Sequence, residues 1–168
     1  MQEQPGQITM RGKPLTLVGT PVRVGDKAPQ FTAIDTDLQP VTLSSFRGKV
    51  VIIASVPSLD TPVCDMETRR FNAEAANLGE DVTILTISMD LPFAQKRWCG
   101  AAGVTRLQTL SDHREASFGM AYGTLIKELR LLARAVFVVD RDGVVRYVEL
   151  VKEIASEPDY DKALEAVR

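Results

Sequence analysis

The sequence is poor in the residues that build disulfide-rich, metal-binding and polyanion-binding proteins. Its 168 residues include two cysteines, one histidine and one tryptophan. Two cysteines cannot form a disulfide scaffold, and with a single histidine they do not supply four zinc ligands within one chain. Twenty basic and twenty-two acidic side chains leave a net charge of −2, which provides no attractive field for nucleic acid. We therefore expect neither a bound metal ion nor a nucleic-acid partner.

A long apolar run is missing as well. Residues 1–13 contain no stretch typical of a secretory signal, and the balance of 45% hydrophobic and 25% charged residues is typical of a soluble globular protein. We expect a cytoplasmic protein that does not enter a membrane. In a reducing compartment, a sparse pair of cysteines is more often catalytic, redox-sensing or simply buried than bridged.

Several catalytic motifs are absent too. The sequence has no glycine-rich nucleotide loop, no Gly-x-Ser-x-Gly, no Cys-x-x-Cys and no His-Glu-x-x-His. No cofactor is expected. The one histidine, His113, could serve as the base of a cysteine hydrolase, but its position is more typical of a surface or helix-start residue.

What the sequence does contain is an alternation of β-branched runs and helical segments. The run 50–55 is continuously apolar, which predicts a central strand covered on both faces. The other predicted strands are 8–10, 15–18, 31–35, 41–43, 82–89, 107–110, 133–139 and 144–151. The predicted helices are 62–78, 91–103, 114–122 and 160–167, with Thr61 and Asp90 as N-caps and Gly79 and Gly103 at the ends of the first two.

This order of elements predicts an α/β fold with a thioredoxin-like, mixed central sheet flanked by helices. The length suits a single domain covering residues 1–168. Residues 1–18 form an additional N-terminal β-hairpin in this interpretation.

Cys64 occupies a position that favours chemistry. If Thr61 caps the helix, Cys64 is its third residue, close to free backbone N–H groups and to the positive end of the helix dipole. Both features favour the thiolate, which is the nucleophilic form. The alternative is a small buried apolar residue at the start of a helix.

The neighbours of Cys64 carry a family resemblance. Pro57, Thr61 and Cys64 form Pro-x-x-x-Thr-x-x-Cys, and the segment 58–64 resembles the active-site loop of the peroxiredoxins, in particular the atypical two-cysteine branch of bacterial thiol peroxidases. The resemblance extends to the opening hairpin and to Trp98-Cys99-Gly100, Tyr122-Gly123, residues 131–136 and residues 157–160.

The resemblance implies a thiol-dependent peroxidase. Cys64 would attack a hydroperoxide, either organic or hydrogen peroxide, and become a sulfenic acid, while Thr61 donates a hydrogen bond and Pro57 shields the sulfur. Arg134 would stabilise the thiolate and the leaving oxygen. A solvated charge at a strand edge is the alternative for Arg134, but its apolar surroundings, 131–139, favour a buried guanidinium with an anionic partner.

The resemblance also assigns Cys99 as the resolving cysteine, which would form an intrachain disulfide with Cys64, and it implies thioredoxin as reductant and a homodimer. Because a disulfide needs Cα atoms within about 7 Å and both cysteines are predicted on helices, we expect local rearrangement on oxidation. A non-catalytic redox sensor is the principal rival, and multiple turnover would distinguish the two. A protein-disulfide oxidoreductase is disfavoured by the missing Cys-x-x-Cys.

Overall fold

The computed structural model describes residues 2–167, so Met1 and Arg168 of the predicted domain lie outside it. The strands are β1 Glu3–Met10, β2 Lys13–Val18, β3 Thr32–Ile34, β4 Pro40–Thr42, β5 Val50–Ser55, β6 Val82–Ser88, β7 Gln108–Ser111, β8 Leu125–Ile126, β9 Ala135–Val139 and β10 Val145–Leu150. The α-helices are α1 Pro62–Ala75, α2 Pro92–Ala102, α3 Ser117–Tyr122 and α4 Tyr160–Glu165, and a short 3₁₀ helix covers Leu43–Phe46.

Seven strands form a mixed sheet in the order β10-β9-β5-β6-β7-β3-β4. The strand β5 pairs parallel to β6 and antiparallel to β9, and all six of its residues are buried. The predicted thioredoxin-like α/β fold with a mixed sheet is therefore confirmed, as is the central position of 50–55.

The alternating side chains of β5 belong to two separate cores, one on each face of the sheet. Val51 and Ile53 pack with the aromatic residues Phe31, Phe118 and Tyr122. The opposite set, Val50, Ile52 and Ala54, packs with Phe71 of α1 and with Tyr160 and Ala163 of α4. A strand covered on both faces explains why its sequence shows an unbroken apolar run.

A second sheet has three strands in the order β1-β2-β8. The hairpin of β1 and β2 is antiparallel, and β2 also pairs with β8. Sequence reasoning missed β8, because two residues are too short to show a period.

Within residues 2–167, no helix combines the length and the apolar character needed to cross a bilayer.

Several predicted helix boundaries are wrong. The helix α2 begins at Pro92 rather than residue 91, and α4 ends at Glu165 rather than residue 167. The helix α1 ends at Ala75 rather than residue 78, because Ala76, Asn77 and Leu78 donate to carbonyls three residues back and tighten the last turn, so Gly79 is not its C-cap.

The helix α3 begins at Ser117 rather than 114. Ala116 has φ +52°, and the carboxylate of Asp112 accepts from the backbone N–H groups of Phe118 and Gly119. By contrast, Gly103 ends α2 in the left-handed conformation, as predicted.

Candidate active site

The site lies where two inner strands of the sheet meet the loops, at the C-terminal end of β5 and the N-terminal end of β9. Ser55 is opposite Ala135 in the antiparallel pair, so Arg134 is next to the start of the loop 56–61. The Ser55 hydroxyl donates to the Ala133 carbonyl at 2.8 Å. This bond holds the backbone just before Arg134 against the end of β5. This register brings together residues that are 70 positions apart in the sequence.

Cys64 is the third residue of α1, as predicted. Thr61 occupies the N-cap position, Pro62 is the first helical residue, and the Cys64 side chain is fully buried. The backbone N–H groups of a first helical turn have no partner within the helix and carry the positive end of its dipole. The sulfur is therefore placed where negative charge is favoured.

Arg134 makes the principal contact with this sulfur. Its Nη2 donates to Cys64 Sγ at 3.2 Å, while Nε and Nη2 donate to the Ile154 carbonyl at 3.1 and 2.8 Å. The side chain is only 2% exposed and precedes β9 instead of lying within a strand. The alternative of a solvated strand-edge charge is therefore wrong, since the guanidinium is buried and directed at the cysteine.

Glu67 is a site residue that sequence reasoning missed. It is fully buried, and its Oε2 lies 3.8 Å from Arg134 Nη1, beyond hydrogen-bond distance. Burial raises the pKa of Glu67 to about 8, an effect that Arg134 only partly opposes. The spacing was a usable signal, because residues three apart lie on the same side of a helix and Glu67 follows Cys64 by three.

Because burial raises the pKa of Glu67, this carboxyl group is a weaker anionic partner for Arg134 than an exposed carboxylate would be. Among the described residues, neither Arg134 Nη1 nor either Glu67 oxygen has a hydrogen-bond partner. The guanidinium donates to the Ile154 carbonyl and to the Cys64 sulfur, and of these two acceptors only the sulfur can carry a negative charge.

Thr61 stands at the predicted N-cap position but does not make the predicted capping bond. Its hydroxyl donates to the Ser58 carbonyl at 2.8 Å instead, and the side chain makes no capping hydrogen bond to the helix. The hydroxyl closes a local turn with the carbonyl three residues earlier, which competes with capping. In this conformation the donor points at Ser58 and not at Cys64.

Asp90 was expected to cap α2, and this is wrong. The N-cap is Leu91, while the Asp90 carboxylate accepts from Ser58 Oγ at 2.7 Å, Leu59 N at 2.8 Å and Ser88 Oγ at 2.7 Å. The loop between β5 and α1 is therefore fastened to the end of β6. A function for Asp90 in this loop could not be read from a helix-start pattern.

Apolar side chains surround the sulfur. Cys64 packs in one cluster with Val56, Leu59, Trp98 and Val104, and Cys99 is partly buried against the same cluster. Pro57, in the loop leading to α1, is also buried. The cluster keeps bulk water away from Cys64, which strengthens electrostatic interactions at the sulfur.

Cys99 lies in α2 and is half-buried, with its Sγ 3.6 Å from the Thr109 hydroxyl. Burial raises the pKa of the Cys99 thiol above its ordinary value, and the hydrogen bond to Thr109 opposes this only in part. Both cysteines are free thiols in this structure. The fold therefore brings them to one cluster but directs their sulfurs at different partners.

Known proteins share this architecture over almost the whole chain. A family model described as Redoxin matches residues 23–164. The chain is 60% identical over 161 residues to the thiol peroxidase of Halalkalibacterium halodurans and 57% identical over 162 residues to that of Bacillus subtilis, and each match covers 96% of both proteins. A crystal structure of a peroxiredoxin-like protein from Aquifex aeolicus matches with a TM-score of 0.90 and 42% identity, covering 97% of this chain and 96% of that one.

The chain therefore belongs to the Redoxin family. Its identity with curated relatives over nearly the full length places it among the thiol peroxidases, which are oxidoreductases of the peroxiredoxin type. The family resemblance that the sequence indicated is confirmed.

Proposed function

We propose that this thiol peroxidase reduces organic hydroperoxides and hydrogen peroxide with Cys64 as the peroxidatic nucleophile. The observation that carries the assignment is the hydrogen bond from Arg134 Nη2 to Cys64 Sγ at 3.2 Å, between two buried side chains. A buried guanidinium is stabilised by an anion, and a thiolate at a helix N-terminus is such an anion. The peroxidase activity itself follows from the family.

In the first step the Cys64 thiolate attacks the terminal oxygen of the hydroperoxide. The S–O bond forms, the O–O bond breaks, and the leaving oxygen takes a proton to become an alcohol or water. Arg134 stabilises negative charge as it moves from the sulfur to the leaving oxygen. Thr61 turns its hydroxyl from the Ser58 carbonyl toward the peroxide, and Pro57 helps to exclude water.

In the second step Cys99 attacks the sulfur of the Cys64 sulfenic acid. The S–S bond forms, the S–O bond breaks, and hydroxide leaves with the thiol proton as water. The Cys64 sulfur faces Arg134 and the Cys99 sulfur faces Thr109, so at least one must leave its partner before the bond can form. Local rearrangement of α1 or α2 is part of this step.

The disulfide must be reopened in every cycle, which calls for a dithiol reductant. Thioredoxin suits this task through a mixed disulfide, and a reducing compartment such as the cytoplasm suits the cycle. A homodimer is supported by large apolar side chains that are exposed at the starts of both cysteine-bearing helices, namely Met66, Leu91 and Phe93. In the same proposal, residues 1–168 act as one domain, with the hairpin 1–18 attached through β8.

Peroxide consumption coupled to thioredoxin and its reductase tests this proposal on wild type, C64S and C99S. Wild type should consume many equivalents, and C64S should consume none above background. C99S should oxidise once and then recycle poorly. Wild-type consumption that stops after about one equivalent would favour the redox-sensor alternative, and full turnover by C64S would exclude Cys64 as the nucleophile.

A further inference from the structure

A polar contact joins α1 to α2 directly beside the two cysteines. Trp98 Nε1 donates to Asp65 Oδ1 at 2.8 Å. Asp65 follows Cys64 in α1, and Trp98 precedes Cys99 in α2. The contact therefore ties together the two short segments that carry the reacting sulfurs.

Arg69 completes this contact. Its Nε donates to the second carboxylate oxygen, Asp65 Oδ2, at 2.9 Å, and its guanidinium carbon lies 5.7 Å from the centre of the Trp98 ring. Its Nη1 also lies 3.4 Å from the Ala102 carbonyl at the end of α2. We call Asp65, Arg69 and Trp98 the interhelix latch.

The groups of the latch are joined by a charge-assisted hydrogen bond, an ion pair and a cation–π contact. The indole N–H meets a charged acceptor, which is a stronger pairing than one between neutral groups. Trp98 is only 9% exposed and packs in the apolar cluster with Cys64, Leu59 and Val104. A guanidinium within about 6 Å of a tryptophan ring adds cation–π attraction. Separating the helices there would leave a mostly buried N–H without its partner.

We propose that the interhelix latch sets the rate at which the Cys64 sulfenic acid and Cys99 form their disulfide. This inference rests on the proposed function, in which Cys99 resolves Cys64. Asp65, Arg69 and Trp98 are positioning residues, because they act through the helices that hold the sulfurs. The latch stabilises the reduced arrangement, so the helices must loosen it before the S–S bond forms and water leaves.

A slow second step has a chemical consequence. A sulfenic acid that persists can meet a second hydroperoxide, which transfers an oxygen atom to the sulfur to give a sulfinic acid and releases an alcohol or water. Cys99 competes with this reaction. The latch therefore also sets how readily Cys64 is overoxidised.

The test compares D65A, D65N, W98F and the double variant D65A/W98F with wild type. D65A removes the acceptor, W98F removes the donor but keeps a ring, and D65N keeps an oxygen that can accept. E74A is the matched control, since it removes an i,i+4 ion pair that Glu74 forms with Arg70 within the same helix. Each protein is mixed with one equivalent of hydroperoxide, quenched at short times and trapped with a thiol reagent for mass spectrometry.

We expect the disulfide to form about tenfold faster in D65A and W98F, a change of about 1.4 kcal/mol in barrier. D65N should stay within about threefold of wild type, and E74A should match it. The double variant should be no faster than the single variants, because both remove the same contact. The rate of the first oxidation should stay within about twofold in E74A and is measured separately in every variant, so that disulfide formation is timed from the oxidised Cys64. Excess peroxide should give less Cys64 sulfinic acid in D65A and W98F than in wild type.

Trp98 is the one tryptophan in the chain, so its fluorescence follows the same event in D65A and wild type. Unchanged or slower disulfide formation in D65A and W98F would overturn the latch, provided that wild type forms the Cys64–Cys99 disulfide. If wild type never forms that disulfide, the assignment of Cys99 as resolving cysteine fails first and the latch with it.

Discussion

The two cysteines share one apolar cluster, yet their surroundings differ in charge. Cys64 is fully buried and receives a hydrogen bond from the guanidinium of Arg134. Cys99 is half-buried and faces the neutral hydroxyl of Thr109, and burial raises the pKa of its thiol.

Helix polarity adds to the contrast. Cys64 lies in the first turn of α1, whereas Cys99 lies near the end of α2, where its carbonyl accepts from Val104 N at 3.1 Å. The dipole favours a thiolate at the first position and disfavours one at the second. The comparison teaches that identical side chains on neighbouring helices lie in different charge environments, which supports the proposed division of roles between a peroxidatic Cys64 and a resolving Cys99.

The largest expected effect comes from removing the Arg134 guanidinium that contacts the Cys64 sulfur. Arg134→Met should lower the rate of Cys64 oxidation by about 10²–10³-fold, the usual loss for one donor that stabilises charge in a transition state. The rate at which an alkylating reagent modifies Cys99 should be the same in Arg134→Met as in the protein with Arg134. The measurement is rapid mixing with hydroperoxide in a C99S background, together with alkylation of Cys99 in a C64S background.

Arg134→Lys is the matched control, since it keeps the charge but loses the planar pair of donors to the sulfur and to Ile154. We expect partial recovery of the rate. Melting temperatures of all variants show whether the fold survives. Equal losses of reactivity at both cysteines would contradict the proposed difference between them, because Arg134→Met would then disturb the whole region and not Cys64 alone.

The second effect concerns the pH dependence of the free energy of unfolding. It tests Glu67, which lies in α1 beside Cys64 and Arg134. With its pKa raised to about 8 by burial, folded Glu67 holds a proton that the unfolded chain releases near pH 4.5. The folded state therefore binds more protons between these values, and the free energy of unfolding falls as pH rises. Below about pH 4.5 both states are protonated, and above about pH 8 the loss is complete.

Between pH 5 and pH 8 the loss should amount to about 3 kcal/mol. Glu67→Gln keeps the shape but cannot ionise, so its free energy of unfolding should lack this decline. Urea titrations of both reduced proteins at several pH values measure it, and the difference between them cancels Asp112, whose pKa burial raises to about 6. Parallel curves for the two proteins would show that Glu67 is ionised throughout.

Most of the fold could be predicted because its signals are local. The apolar run of β5, the start of α1 at Thr61 and Pro62, and Gly103 after α2 each reflect the preference of a few neighbouring residues. The strand β8 could not be predicted, since its two residues are ordered by pairing with β2.

The site divides in the same way. The motif around Cys64 is contiguous, so the resemblance identified it, and the apolar run around Arg134 indicated a buried cation. What Asp90 bonds to depends on a tertiary arrangement, namely where Ser58 lies relative to the end of β6, whereas Thr61 bonds locally to the Ser58 carbonyl three residues earlier. Capping preferences alone gave the wrong partners for both, because the same side chains can serve a loop as well as a helix.

The smallest expected effect tests the hydroxyl of Thr61 and sharpens the contrast between the two sulfurs. Its donor faces the Ser58 carbonyl in the reduced state and is exposed, so it can turn toward an incoming peroxide without breaking a buried bond. One hydrogen bond contributes about 1 kcal/mol, so Thr61→Val should slow Cys64 oxidation by roughly tenfold or less. Thr61→Ser keeps the hydroxyl and should stay near the wild-type rate when both are followed by stopped flow. If Thr61→Val and Thr61→Ser lose activity equally, the methyl group and the local turn matter and the hydroxyl does not act on the peroxide.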